Sequence, residues 1–186
     1  GLMQLAQEFS ESSPRHGLLF IAFAGEELGL LGSRYYTEHP TLPLEDSIAM
    51  INMDMIGRSD GDILIGGVGS AAEWRPLLDE IRETSSLEFS YSEDSRGSSD
   101  HLSFASKRVP VLFFFSGLHS DYHRPSDDWE RIQVAATREI IHVVHRTVKR
   151  VADFQEPFEF VETRRRPSRG GGARRSSRPR FGTMLD

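Results

Sequence analysis

Val109-Pro-Val-Leu-Phe-Phe-Phe115, closed by Ser116-Gly117, is the most apolar run of the chain. It is too short for a core helix and shows no polar alternation, so it reads as a strand buried on both faces. Leu18-Leu-Phe-Ile-Ala-Phe-Ala24, ended by Gly25, and Ser47-Ile-Ala-Met-Ile-Asn-Met53 have the same character. Ile63-Leu-Ile65 and the alternating Leu87–Tyr91 add shorter strands, the second nearer a sheet edge. Between them the apolar period changes to that of a helix. Leu2, Leu5, Ala6 and Phe9 predict a first helix, and Leu28, Leu31, Tyr35 and Tyr36 predict a second over 26–38. Residues 74–84, 99–105 and 133–153 complete the set, with Ser98 or Ser99 as the N-cap of the short one. Strands alternating with helices imply an α/β fold, a three-layer α/β/α sandwich around a mostly parallel central sheet.

The chain has 186 residues, 38% of them apolar, which suffices for one compact domain with a core. It has no cysteine, so thiol catalysis, disulfides and sulfur-ligated metals are excluded, and any metal must be held by His, Asp or Glu. The net charge of −6 is a sum of unlike parts. Eight arginines and one acid, Asp186, lie in 163–186; removing them from totals of 22 basic and 28 acidic residues leaves 14 and 27 in 1–162. An acidic body argues against nucleic acid as its main partner and suits a site built of carboxylates. No apolar run approaches the roughly 18 residues of a membrane span. Gly1-Leu-Met-Gln-Leu-Ala6 reads like the middle of a helix, with no initiator Met or signal peptide, so the chain is expected to be a piece of something longer.

In open α/β sheets the functional crevice lies off the carboxyl ends of the strands. Glu26 and Glu27 follow 18–24, Asp54 follows 47–53, and Asp121-Tyr-His123-Arg-Pro-Ser-Asp-Asp128 follows 109–115. Oxygen donors with an imidazole and no sulfur suit a hydrolytic zinc site, where the metal keeps Lewis acidity and an open position. Glu26-Glu27 reads two ways: a ligand beside a general base, or an acidic helix start favoured by the dipole. Asp54, ending a buried strand, costs free energy unless paired or ligated. One of Asp121, Asp127 and Asp128 is expected to orient the second ring nitrogen of His123. Ser99-Asp100-His101 either caps a helix or supports the same site. His119 and His123 lie between Gly117 and Pro125 rather than on a helix, and His142 and His145 read as boundary residues of the last helix.

Phe23-Ala-Gly-Glu-Glu-Leu-Gly-Leu-Leu-Gly-Ser33, Ile51-Asn-Met-Asp-Met-Ile-Gly-Arg58, Ser99-Asp-His101 and Gly117-Leu-His-Ser-Asp-Tyr-His-Arg-Pro-Ser-Asp127 resemble, in order, the blocks of the co-catalytic zinc aminopeptidases, metallopeptidase family 28. The resemblance covers about residues 1–153 and implies a zinc-exopeptidase fold acting on peptides with a free N-terminus. It implies that Glu26 is the general base, that Glu27 and His123 bind one zinc and Asp54 a second, and that Asp100 and Asp127 support them. It also implies two ligands upstream of Gly1, a His in a His-x-Asp block and a bridging Asp. Without these, weak metal binding and little activity are expected of the 186 residues alone. A glutaminyl cyclase-like acyltransferase and a degenerate, non-enzymatic binding domain are the alternatives, and family membership implies an extracytoplasmic location.

Residues 1–155 are thus expected to form a partial catalytic domain and 156–186 an Arg/Gly/Ser-rich linker. The end of the linker, Arg178-Pro-Arg-Phe-Gly-Thr-Met184, resembles the start of a PDZ module. The competing reading of the arginines is a basic arm for phosphates or anionic lipid surfaces.

Overall fold

The computed structural model describes residues 1–163. Of the expected linker 156–186, residues 164–186, and with them the PDZ-like start, lie outside the described residues, while Phe158 in the described part is buried against Trp74. The order is α1 (Leu2–Ser10), α2 (Leu31–Glu38), β1 (Met50–Asp54), β2 (Asp62–Gly66), α3 (Trp74–Arg82), β3 (Glu88–Tyr91), α4 (His101–Ala105), β4 (Val111–Phe115) and α5 (Val134–Ala152). The sheet order is β1-β4-β2-β3. β1 runs parallel to β4 and β2 parallel to β3, while β2 and β4 are antiparallel. The expected mostly parallel sheet is therefore present, with one reversed pair at its centre.

β4 carries the core because it is flanked on both edges and covered on both faces. Leu112 and Phe114 are fully buried in a cluster with Leu5, Trp74, Leu78 and Ile140 from α1, α3 and α5. Val111 points to the opposite layer with Phe104 and Ala105 of α4, against which Phe23 and Tyr36 pack. Helices thus cover both faces, the sandwich expected from the sequence. Ser70 lies buried beneath β4, where its hydroxyl donates to the Val111 carbonyl, accepts from the Val111 N–H and accepts from Trp74 Nε1, so no polar atom of that corner is stranded. No described helix is long and apolar enough to cross a membrane.

Two expectations fail. Residues 18–24 are not a strand: the segment is extended and half-buried, but it pairs with none of the four strands. A strand requires a neighbour for its backbone as well as an apolar sequence, and β1, the adjacent edge, does not reach it. Residues 26–30 are not helical either, and α2 begins only at Leu31. Gly25 and Gly29 have φ of 69° and 100°, and Leu30, at φ 60°, is left-handed as well. These angles break the helix and form a tight turn in which Leu31 N–H donates to Gly25 O and Gly32 N–H to Ala24 O. A Cβ at Gly32 would lie 2.6 Å from Ala24 O, so only glycine allows that approach. Because Glu26 and Glu27 precede the helix, the helix-dipole explanation for them falls.

Candidate active site

The carboxyl ends of β1, β4 and the extended segment open into one cavity of about 600 Å³, lined by Glu26, Glu27, Asp54 and His123. The four residues singled out at three strand ends are therefore brought together. His123 sits at φ 55° in the loop after β4, its ring stacked on Tyr122 with centroids 3.8 Å apart. Its Nε2 is hydrogen-bonded to Glu27 Oε1 at 2.8 Å. That separation lets one ion replace the proton between them and take both as ligands.

Glu26 is the perturbed carboxyl of the group. Burial raises its pKa above the usual glutamate value, and the charges of Glu27, Asp54 and Asp100 push it the same way, while His123 opposes them. A carboxyl that holds its proton more readily than a free glutamate is suited to accepting one during a reaction.

Asp54 ends a strand that is half-buried throughout, because β1 is an edge and not the covered strand the sequence implied. Its Oδ2 accepts from Ser99 Oγ at 3.0 Å, and Ser99 Oγ in turn accepts from Asn52 Nδ2 at 2.8 Å. This relay fixes the carboxylate from below. It also corrects the capping expectation: α4 has Asp100 as its N-cap with no side-chain capping bond, and Ser99 turns to Asp54. Burial and the Asp54 charge raise the pKa of Asp100, which a hydrogen bond from Ser33 opposes. His101 is buried behind Phe113, on which it stacks at 4.5 Å, and is absent from the cavity wall. Burial pushes its pKa down to about 4, against a weaker pull from Asp94, so at neutral pH it is uncharged.

No aspartate of the loop orients His123. Asp121 accepts from Arg58 Nη1 at 2.7 Å and from Ser126 Oγ, and these bonds hold its carboxyl down at about 2. Asp127 accepts from Arg58 Nη2 and lies 3.7 Å from His119 Nε2. Arg58, at the mouth of β1, thus takes the two carboxylates expected to serve the histidine, because a guanidinium is the stronger partner. Arg58, Asn52 and Tyr122 are not among the residues the sequence singles out, whereas Ser99 is, with Asp100 and His101, as a helix cap or a support of the site. Arg58 and Asn52 carried a readable signal, each standing within four residues of Asp54 on the same strand and turn.

Among the described residues no three His, Asp or Glu side chains form a metal-holding cluster. The donors present are of the right chemistry, oxygen and nitrogen without sulfur. They amount to a pair, Glu27 with His123, and the single Asp54, where zinc generally takes at least three protein ligands.

Aminopeptidase YwaD of Bacillus subtilis (strain 168) is 27% identical over 144 residues, covering 70% of this chain and 31% of YwaD. The solved aminopeptidase from Aneurinibacillus sp. strain AM-1 superposes with TM-score 0.66 at 26% identity, covering 89% of this chain and 41% of that one. A Bacteroides thetaiotaomicron glutaminyl cyclase shares the fold at TM-score 0.59 and 16% identity, covering 83% of this chain and 60% of its own. The chain spans less than half the length of the two aminopeptidases. The model of peptidase family M28 matches residues 1–148, which hold every side chain of the cavity, and the chain belongs to that family.

Proposed function

We propose that these residues form part of a zinc-dependent aminopeptidase, with Glu26 as general base, Glu27 and His123 as ligands of one zinc and Asp54 as ligand of a second. The observation that carries this reading is the convergence of Glu26, Glu27, Asp54 and His123 on one cavity, with Glu26 the carboxyl whose proton affinity is raised. Zinc, when bound, supplies Lewis acidity to the scissile carbonyl and lowers the pKa of water. Glu26 accepts the proton of the attacking water and returns it to the departing amine, a role that its raised proton affinity favours. Ser99 and Asn52 keep Asp54 in one rotamer, and Arg58 holds the loop that presents His123. The acidic rim receives the free α-ammonium of a peptide, which limits cleavage to the N-terminal residue.

Glu26→Gln in a protein that includes these residues and releases N-terminal amino acids is the direct test. Removing only the base should leave bound zinc unchanged and lower kcat by about 10²–10⁴-fold. Full activity in the variant removes Glu26 from the mechanism, and ammonia release from an N-terminal Gln peptide without hydrolysis replaces the reaction with cyclisation.

A further inference from the structure

After α5, residues 154–163 form a strap that crosses from one helical layer to the other. Phe158 is buried in the cluster of α1, α3 and α5, against Trp74 and Phe154. Phe160, two residues on, packs on the opposite cluster with Phe104 and Val109, and the Arg108 guanidinium lies 5.3 Å from its ring centre. Val161 N–H then donates to Ser70 O at 2.8 Å. Among the described residues, the other polar contacts of 158–163 all go to one short segment. Ser95 N–H donates to Thr163 Oγ1 at 3.4 Å, the hydroxyls of these two residues are hydrogen-bonded at 3.0 Å, and Arg96 Nη2 donates to Glu162 Oε1 at 3.1 Å. The segment 95–98 has little else to hold it. Residues 92–94 are fixed by main-chain bonds from Gly67, Val68 and Gly69, but beyond Asp94 no described main-chain bond is made until Ser99 O accepts from Leu102 N–H. Ser95 is 2% exposed, and among the described residues Thr163 is the one partner of its hydroxyl.

We propose that Thr163 is a positioning residue of the candidate site: docked on Ser95, it fixes 95–98 and through that segment holds Ser99 Oγ against Asp54. Ser98 and Ser99 line the cavity, and Ser99 Oγ joins Asn52 to Asp54. The segment has no slack on its inner side, where a Cβ at Gly97 would stand 2.5 Å from His101 Nε2. A close-packed contact of this kind passes a displacement on rather than absorbing it. Phe158 and Phe160 suffice to attach the strap to the two layers. A hydrogen bond between two short side chains is directional, and it sets the distance between the backbones that carry them more closely than apolar packing does. That Asp54 binds a metal rests on the proposed function, but the coupling of the strap to Asp54 does not.

Asn52 is the one asparagine of the chain, so asparagine labelled with nitrogen-15 in its side-chain amide gives a single pair of proton resonances. Because that amide donates to Ser99, the pair reports on the relay at Asp54. Spectra of the zinc-free 186-residue chain need neither metal nor turnover. Full activity in Glu26→Gln, which would sink the peptidase reading, therefore leaves their outcome standing. Ser99→Ala defines where the pair lies when the relay is lost. Thr163→Val should move it at least about half of that distance and speed main-chain hydrogen exchange over 95–99 about tenfold by mass spectrometry. Thr163→Ser should keep both at the parent values. Ser95→Ala removes the buried hydroxyl instead of stranding it, so it serves even where Thr163→Val fails to fold, and it should move the pair in the same direction. Thr147→Val deletes a buried hydrogen bond to Val143 O on α5 and should leave the pair in place. A pair that stays put in both Thr163→Val and Ser95→Ala overturns the proposal. So does an equal movement in Thr147→Val, which would report general loosening, or a failure of Thr163→Ser to keep the parent position.

Discussion

His101 shows how one residue can be buried beside a site without belonging to it. It is 1% exposed, its ring nitrogens have no partner among the described residues, and Gly97 lies so close that a Cβ there would stand 2.5 Å from Nε2. Burial as the neutral form depresses its pKa from 6.5 to about 4. The unfolded chain therefore binds a proton that the folded chain refuses between those values, so stability is unaffected above the upper one and falls as pH drops toward the lower. The integrated loss is roughly 3 kcal/mol. His101→Gln, which cannot titrate, should flatten that acid limb in urea midpoints measured across the interval. Parallel profiles for the two proteins would show that His101 is not the group responsible. The sequence placed His101 in the site because it follows Ser99-Asp100. Which neighbour in that triplet faces the cavity depends on the turn before α4, and composition does not encode it.

At the level of elements, two ties hold the loops that present the site. Arg58 links the end of β1 to the loop 118–131 through Asp121 and Asp127. Arg58→Ala should speed hydrogen exchange over 118–128 and weaken zinc retention by about tenfold, because His123 loses its fixed approach; unchanged exchange there would remove Arg58 from this role. Lysine should restore only part, as a point charge cannot serve two carboxylates at a fixed angle. The second tie is the strap after α5. Phe158, buried against Trp74 at 4.7 Å, anchors it; Val161 N–H donates to Ser70 O, and Thr163 hydrogen-bonds Ser95 four residues before Ser99. Phe158→Ala should cost about 3–5 kcal/mol in chemical denaturation. A loss below about 1 kcal/mol would mean that the strap is not part of the folded unit. The strands were legible where ladder partners lie among the described residues: 109–115 lies between β1 and β2, and its run of Val, Leu and Phe reads correctly as fully covered. The run 18–24 is just as apolar, yet strandness belongs to a pair, and no sequence pattern states whether the partner is present. Over 26–38 the apolar spacing is helical, yet the helix begins only at Leu31, because Gly25, Gly29 and Leu30 take left-handed angles that the spacing does not reveal. The carboxylates and His123 were readable from their places at strand ends, whereas the Arg58 and Ser99 contacts arise from loops meeting in space.

For the molecule as a whole, five acids line one cavity, Glu26, Glu27, Asp54, Asp127 and Asp128, and the charge there is large for the ligands it can offer. Glu27 and His123 make a two-donor pair, and Asp54 stands apart with Ser99. Zinc stabilises a protein by RT ln(1 + [L]/Kd), about 0.4 kcal/mol when its concentration equals Kd. A pair of donors on exposed side chains should give a Kd no tighter than about 10 µM, by the shortfall from three ligands. Ten-micromolar zinc, on the order of that Kd, should therefore raise the melting temperature of the 186-residue chain by no more than about 1–2 °C. His123→Ala should abolish that shift, and Glu26→Gln should preserve it. A shift corresponding to about 3 kcal/mol, near 100-fold saturation, would require a complete ligand set within these residues and overturn the two-plus-one assignment. A shift surviving His123→Ala would place the ion elsewhere on the acidic body.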